Sequence, residues 1–291
     1  MNEILKKIDS ATHIVILSNN DFNADSLGSA SAFYTFLLQK HKKVSWVCKT
    51  QNTNYKVSFI PWVQDIKNSF PKSADLAIGF DIENRELLDI DIELINFIGN
   101  TENLYHFFKE NEIKINKKMA TALYAGLLGS TDGFLSDELC GTTFATAKEL
   151  IECGAEFKLC NKNIMKSVTL GALRLKAIMF KNMSLEHDAK IALFCVSDED
   201  MRASGANAIE AEAVLKESLC LVHVEVAVLL MQKSDFKIQC LIHCVSEPNC
   251  AKIALKFDSK KSKNRLDFTL SDSVSLHVAK ELVLNLIKKE I

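Results

Sequence analysis

The sequence predicts an α/β protein in which a doubly wound, mostly parallel sheet is joined by a helical connector to a smaller α+β domain. Three observations carry this. Continuous apolar runs of strand length alternate with helical patterns through the first half, and such runs mark strands buried on both faces. The Leu- and Met-bearing stretch from Asn161 to Met183 is helical in pattern and contains no Pro/Gly-rich linker. Beyond Ala189, two strand-like runs flank the polar turn Gln232-Lys233-Ser234-Asp235, as in a hairpin. The expected division is a first domain over 1–160, a connector over 161–188 and a second domain over 189–291.

The elements follow in order. His13-Ile14-Val15-Ile16-Leu17-Ser18 reads as a buried strand. The small residues from Ser26 to Ala32, followed by Phe33, Phe36 and Leu37, open a helix over 27–40. Lys43–Cys48, Ala74–Asp81 and Leu94–Ile98 are further strands, and Met119–Leu128 lies on a helix. Thr142–Glu152 has apolar residues at helical spacing, with Gly154 as its stop. In the second half, a strand over Lys190–Val196 leads to a helix over 205–219 with acidic residues on one side. Strands at 222–230 and 237–244, a helix over 248–257, a basic loop, a strand at Leu266–Leu270 and a helix over 273–289 complete the chain.

Composition narrows the function classes. With 48% apolar and 25% charged residues in 291, the chain reads as globular, and no apolar stretch reaches the ~20 residues of a membrane span. The first seven residues lack the apolar segment of a signal peptide, so a cytoplasmic location is expected, with no membrane partner. Nine scattered cysteines without a CxxC pair read as reduced core thiols, as in Phe194-Cys195-Val196 and Leu219-Cys220-Leu221. His243, Cys244 and Cys250 match no zinc-ligand spacing. A net charge of −2 gives no global attraction for nucleic acid, so binding there requires a local basic patch.

The segment Asn19-Asn20-Asp21-Phe22-Asn23-Ala24-Asp25-Ser26-Leu27-Gly28-Ser29 stands where the first strand hands over to the first helix. Ligand sites in open α/β sheets gather at the carboxyl ends of strands, and small residues at a helix start let phosphate approach the backbone. An ordinary Asn/Asp-rich βα turn is the other reading of this segment. With Asp81 at the end of a strand and Gly126-Leu127-Leu128-Gly129-Ser130-Thr131-Asp132-Gly133-Phe134, the order of segments resembles the DHH phosphoesterases. The likeness is to the branch of RecJ-like nanoRNases and phosphoadenosine-phosphate phosphatases, over nearly the full length.

The resemblance implies a two-metal phosphoryl hydrolysis, with divalent ions ~4 Å apart. It also implies that most ligands are missing. Asn19 stands for a His, Asn23 for an Asp, Ser130 for an Asp, and Ile98, Gly99 and Asn100 for the Asp-His-His signature. Asp25, Asp81, Gly28 and Ser29 keep the family's residues. A carboxamide is a weak uncharged donor, and Ile and Gly offer no side-chain ligand, so no cofactor is expected. Mn²⁺ or Mg²⁺ enters only under the alternative of a rebuilt site using Asp25, Asp81 and Asp132; Asp21 reads as a turn residue and His106 as a partly buried member of an aromatic cluster.

In the second domain the resemblance places His243 where the family has Arg. It also places Asp258–Phe268 where the family has a glycine-rich substrate loop. That loop is basic instead, with Lys260, Lys261, Lys263 and Arg265, which with Ser29 and His243 are candidate phosphate contacts. The expected function is a catalytically silent or impaired phosphoesterase relative that binds a nucleotide, short nucleic acid or protein partner, a second copy included, near the inter-lobe cleft. Two alternatives stand beside it. One is an active metal-dependent phosphoesterase on short oligonucleotides or nucleoside phosphates. The other is a structural subunit whose cleft is filled by Phe22, Ile98 or Leu266.

Overall fold

The computed structural model describes residues 3–18, 23–48, 55–80, 82, 92–99, 101–136, 139–233, 235–257, 260–262, 264–270 and 275–290. The chain separates into two compact units, Met1–Ser167 and Val168–Ile291.

The first unit contains α1 (Glu3–Ser10), β1 (His13–Ser18), α2 (Ala24–Gln39), β2 (Lys43–Val47), β3 (Leu76–Phe80) and β4 (Glu93–Phe97). It continues with α3 (Thr101–Glu110), α4 (Lys117–Ser130), α5 (Gly141–Glu152) and α6 (Phe157–Cys160). The strands form one parallel sheet in the order β2-β1-β3-β4. Alternation along β1 feeds two cores, as the two-residue period of a strand requires. Ile14 and Ile16 join the large core under α2, α3 and α4, whereas Val15 and Leu17 face a smaller cluster with Val47 and Ala77. Phe33 on α2 anchors the large core, with Phe36, Phe80, Phe97, Phe107 and Phe108 around it.

Helices α2 and α4 touch almost backbone to backbone. A Cβ at Gly28 would lie 2.5 Å from the Ala122 carbonyl oxygen and 2.9 Å from the Gly126 backbone. The small-residue run that marks the start of α2 in the sequence is therefore a close-packing surface. Helices α1 and α3 escape the sequence pattern: α1 buries only Ile8, and α3 mixes charges with aromatic residues.

The predicted continuous connector is broken. A π-helical turn over Asn161–Lys166 follows α6, Ser167 is extended, and Thr169 caps a new helix, α7 (Leu170–Lys181), by accepting the Ala172 N–H at 2.9 Å. A cap of this kind starts a helix because it satisfies one of the first-turn donors, which the preceding turn leaves without a carbonyl.

The second unit adds β5 (Ser184–Glu186), β6 (Ile191–Val196), α8 (Asp198–Ser204), α9 (Ala208–Glu217), β7 (Val226–Gln232) and β8 (Ile238–Cys244). It closes with α10 (Glu247–Ala254), β9 (Lys260–Ser262), β10 (Arg265–Leu270) and α11 (Leu276–Ile287). Its sheet runs β5-β6-β7-β8-β10-β9, with β6 and β7 parallel and the other pairs antiparallel. Apolar residues of α7 and α9 cover one face, and those of α10 and α11 the other. The helix expected over 205–219 is α9 alone. Gly205 lies before it at φ +73° and ends α8, and a reciprocal cap between Asn207 and Glu210 starts α9.

Among the described residues the cysteines form no disulfide. Cys48, Cys160, Cys240, Cys244 and Cys250 are buried as expected, but Cys140, Cys153 and Cys220 are exposed. Cys220 ends a 3₁₀ turn that carries it out of the core despite its apolar neighbours. Among the described residues no helix is long and apolar enough to cross a membrane.

Candidate functional site

At the carboxyl end of β1 the chain enters α2 through Asn23, whose Oδ1 accepts the Ser26 N–H at 2.8 Å. The position where the resemblance expects a metal-binding Asp is thus a helix cap, a task that Asn performs as well as Asp. Asp25, two residues on, also faces a helix start, that of α3. Its Oδ1 accepts the Thr101 N–H at 2.7 Å and the Thr101 hydroxyl as well. The Thr101 hydroxyl lies 3.1 Å from that of Ser29 and fills a notch that α4 leaves open at Gly126, where a Cβ would collide with it. A carboxylate at the positive end of a helix is doubly favoured, by hydrogen bonds and by the helix dipole.

Asn100 lies outside the described residues, and among the described residues of the loop into α3 no side chain offers a ligand in place of the missing signature. Ile98 is 81% exposed, and Gly99 sits at φ +118°, a backbone region that suits glycine. Across the site, Gly129 packs against Ala24, which brings the end of α4 to the start of α2. Ser130, the last residue of α4, bonds back to the Leu127 carbonyl oxygen at 3.3 Å. Asp132 is exposed on a left-handed turn at φ +48°. His106 is not partly buried as expected: its side chain is half exposed on α3, 4.0 Å from Glu102, with its ring edge-on to Tyr105.

Asn23, Asp25, Ser29, Gly99 and Ser130 thus gather around the starts of α2 and α3, with Asp132 just beyond α4. Asn19, Asp21, Phe22, Asp81 and Lys263 lie outside the described residues. The donor set that is described does not fit a pair of divalent ions. Among the described residues no group of three His, Cys, Asp or Glu side chains converges as a metal site. Thr101 is the site residue that sequence reasoning missed, and nothing local marks it, because its role depends on a partner 76 positions away.

In the second unit the candidates His243 and Arg265 do come together, on a third residue that the sequence did not single out. Glu212 of α9 accepts His243 Nε2 at 2.9 Å and Arg265 Nε at 2.8 Å on the same oxygen. Arg265 Nη2 reaches the other Glu212 oxygen at 3.3 Å and Asp267 at 3.0 Å, and Gln239 donates to Asp267 at 2.9 Å. His243 is buried, and Arg265 and Glu212 are partly so. Burial opposes ionisation of Glu212, but the donors of His243 and Arg265 and the charges of Arg265 and Lys216 outweigh it and hold the carboxyl at about 2. The register of β10 sets Arg265 opposite His243 on β8, which explains the meeting. Lys260 and Lys261 lie on β9, opposite Asp267 and Leu266. Leu266 is buried in the core of its own unit.

A parallel sheet with its candidate site at the strand ends, followed by a mixed-sheet unit, is the layout of a two-domain phosphoesterase of the DHH class. No family model matches the chain. Individual proteins do. The Streptococcus mutans protein named probable bifunctional oligoribonuclease and PAP phosphatase NrnA is 24% identical over 265 residues, spanning 80% of this chain and 81% of that protein. An exopolyphosphatase-related protein from Bacteroides fragilis shares the fold with a TM-score of 0.85 at 18% identity, covering 98% of this chain and 95% of that one. The exonuclease RecJ, solved with manganese, gives a TM-score of 0.52 at 12% identity, covering 98% and 93%. In sequence and in fold the chain is thus similar to phosphoesterases of the DHH class.

Proposed function

We propose that this protein is a catalytically silent or strongly impaired DHH phosphoesterase that keeps the scaffold to bind a nucleotide or short nucleic acid. The observation that carries the reading is the commitment of Asp25: the one described carboxylate retained at a ligand position holds the start of α3 through Thr101. Asn23 caps α2 and Ser130 bonds within α4, so the substituted positions have structural tasks as well. Two-metal hydrolysis needs anionic and imidazole ligands converging on both ions, and the described residues supply no such set. The ligand class is taken from the relatives, named for oligoribonuclease and PAP phosphatase activity. A protein partner or second copy is a further candidate for the same surface.

The test is incubation of the purified protein with Mn²⁺ and short oligoribonucleotides or phosphoadenosine phosphate, alongside fluorescence-anisotropy binding of the same oligonucleotides. Binding without turnover is expected. Metal-dependent turnover that disappears in Asp25→Ala would overturn the reading and favour the alternative, an active phosphoesterase with a rebuilt site, to which the names of the relatives also point.

A further inference from the structure

Between Glu156 and Glu186 the chain carries no acidic residue, although its overall net charge is −2. Three basic residues in this stretch stand four apart: Lys158 on α6, then Lys162 and Lys166 on the π-helical turn that follows. Phe157, Cys160 and Ile164 of the same segment pack into the core of the first unit, and the three lysines are exposed. A four-residue step keeps side chains on one face of a helix, about 6 Å apart along its axis. Among the described residues no carboxylate pairs with any of the three; Glu156, the acid beside them in sequence, is engaged by Lys117 at 3.1 Å. The ladder also has a direction. The Glu156 N–H donates to the Thr121 hydroxyl at 3.1 Å, Asn161 hydrogen-bonds with Tyr124, and Met165 lies against Gly133, past the end of α4. The lysines therefore follow α4 toward Ser130, whose neighbour Gly129 meets the start of α2. At that end an aromatic face is open: Phe144 is 55% exposed, and its ring stacks on Phe134 with centroids 5.5 Å apart. An opposing charge, Asp132, is exposed next to Gly133.

We propose that Lys158, Lys162 and Lys166 form a track for the phosphates of a single-stranded oligoribonucleotide, with the ring of Phe144 stacking a base where the track nears the candidate site of the first unit. The inference rests on the nucleic-acid reading given above and adds where the strand lies. Evenly spaced ammonium groups take successive phosphates whatever the sequence, and an exposed ring takes the π-face of any base. The strand is single because a base held in a duplex cannot turn its face to a side chain. A bare phosphate chain would gain nothing from the ring. From Lys158 to Lys166 the segment spans about 12 Å, so a strand of several nucleotides is needed to meet all three lysines, and a dinucleotide falls short.

The experiment is fluorescence anisotropy of the full chain with a labelled oligoadenylate dinucleotide and octanucleotide over a series of salt concentrations, with inorganic polyphosphate as competitor. The octanucleotide should bind about tenfold or more tighter than the dinucleotide. Lys158→Gln, Lys162→Gln and Lys166→Gln together should weaken the octanucleotide about tenfold or more. They should also lower the slope of log affinity against log salt by about 2, because each phosphate contact of a single strand carries about 0.7. Arginine at the same three positions should keep both affinity and slope. Phe144→Ala should weaken the octanucleotide about fivefold or more and leave the salt slope unchanged, as the loss of one base–ring stack does. Octanucleotide affinity and slope equal to the native values in the triple Gln protein would overturn the track while leaving the nucleic-acid reading in place. No binding of either oligonucleotide by the native protein would sink that reading, and this inference with it. Polyphosphate binding tighter than the octanucleotide, with Phe144→Ala changing neither, would mark a surface for bare phosphate chains and overturn the nucleic-acid assignment.

Discussion

Asp25 and Thr101 lie 76 residues apart and are joined twice, through the Thr101 amide at 2.7 Å and through its hydroxyl, so that a side chain of α2 holds the first turn of α3. Replacing a capping side chain by alanine typically costs about 0.5–2 kcal/mol. Asp25→Ala should therefore lower the unfolding free energy by about 1–2 kcal/mol. Asp25→Asn should cost less, about 0.3–1 kcal/mol, because an acceptor oxygen remains and mainly the favourable charge at the helix start is lost. Urea denaturation measures both. An Asp25→Ala protein as stable as the native one would remove the capping role.

Metal addition gives a second check. A ligand that binds only the folded state stabilises it by about 2.7 kcal/mol at a hundred times its Kd. For a chain of this size that is a rise in Tm of several degrees. The described donors do not converge, so millimolar Mn²⁺ should leave Tm unchanged within about 1 °C. A concentration-dependent rise, lost in Asp25→Ala, would demand a metal centre.

The parts of this molecule that could be read from sequence are those with local causes. β1 announces itself by an unbroken apolar run and α2 by its small residues. The hairpin of β7 and β8 shows in its polar turn. The likeness to the DHH phosphoesterases survives because backbone geometry preserves segments such as Asn23 to Ser29 after their ligands change. What escaped were tasks set by partners far away in the chain. Asn23 and Ser130 are a separate case: they read as lost ligands although each has a task set locally, a hydrogen bond to a residue three positions away. His243 and Arg265 read as free basic groups, and only the sheet register and the packing of α9 reveal Glu212 between them. Helix α3 was hidden because its start is stabilised from outside, by Asp25.

The contact of α2 with α4 gives a third prediction. A methyl group at Gly28 would meet the Ala122 carbonyl oxygen at 2.5 Å and the Gly126 backbone at 2.9 Å, and backbone atoms cannot turn aside as a flexible side chain can. Gly28→Ala should therefore destabilise the chain by about 1–3 kcal/mol, as overpacked cores do, although alanine has the higher helix propensity. A chemical melt with a midpoint equal to or above the native one would show that the helices can separate at no cost.

The last prediction concerns His13, only 3% exposed at the start of β1, with Nδ1 2.8 Å from the Ser73 hydroxyl and Nε2 2.9 Å from that of Ser45. Burial first, and then the charge of Lys43, hold its pKa below the ordinary 6.5, against the opposing pull of Asp75. The sign of the pH dependence follows from which state takes up the proton. Once the pH falls below 6.5, the unfolded chain protonates this imidazole while the folded chain resists, so stability declines until the depressed folded pKa has been passed. Above 6.5 the group adds no slope. The measurement is the unfolding free energy across this range for the native protein and for His13→Gln, whose amide does not titrate. The stability gap between them should be widest above pH 6.5 and narrow as the solution is acidified; a gap that stays constant would mean that His13 titrates alike in both states.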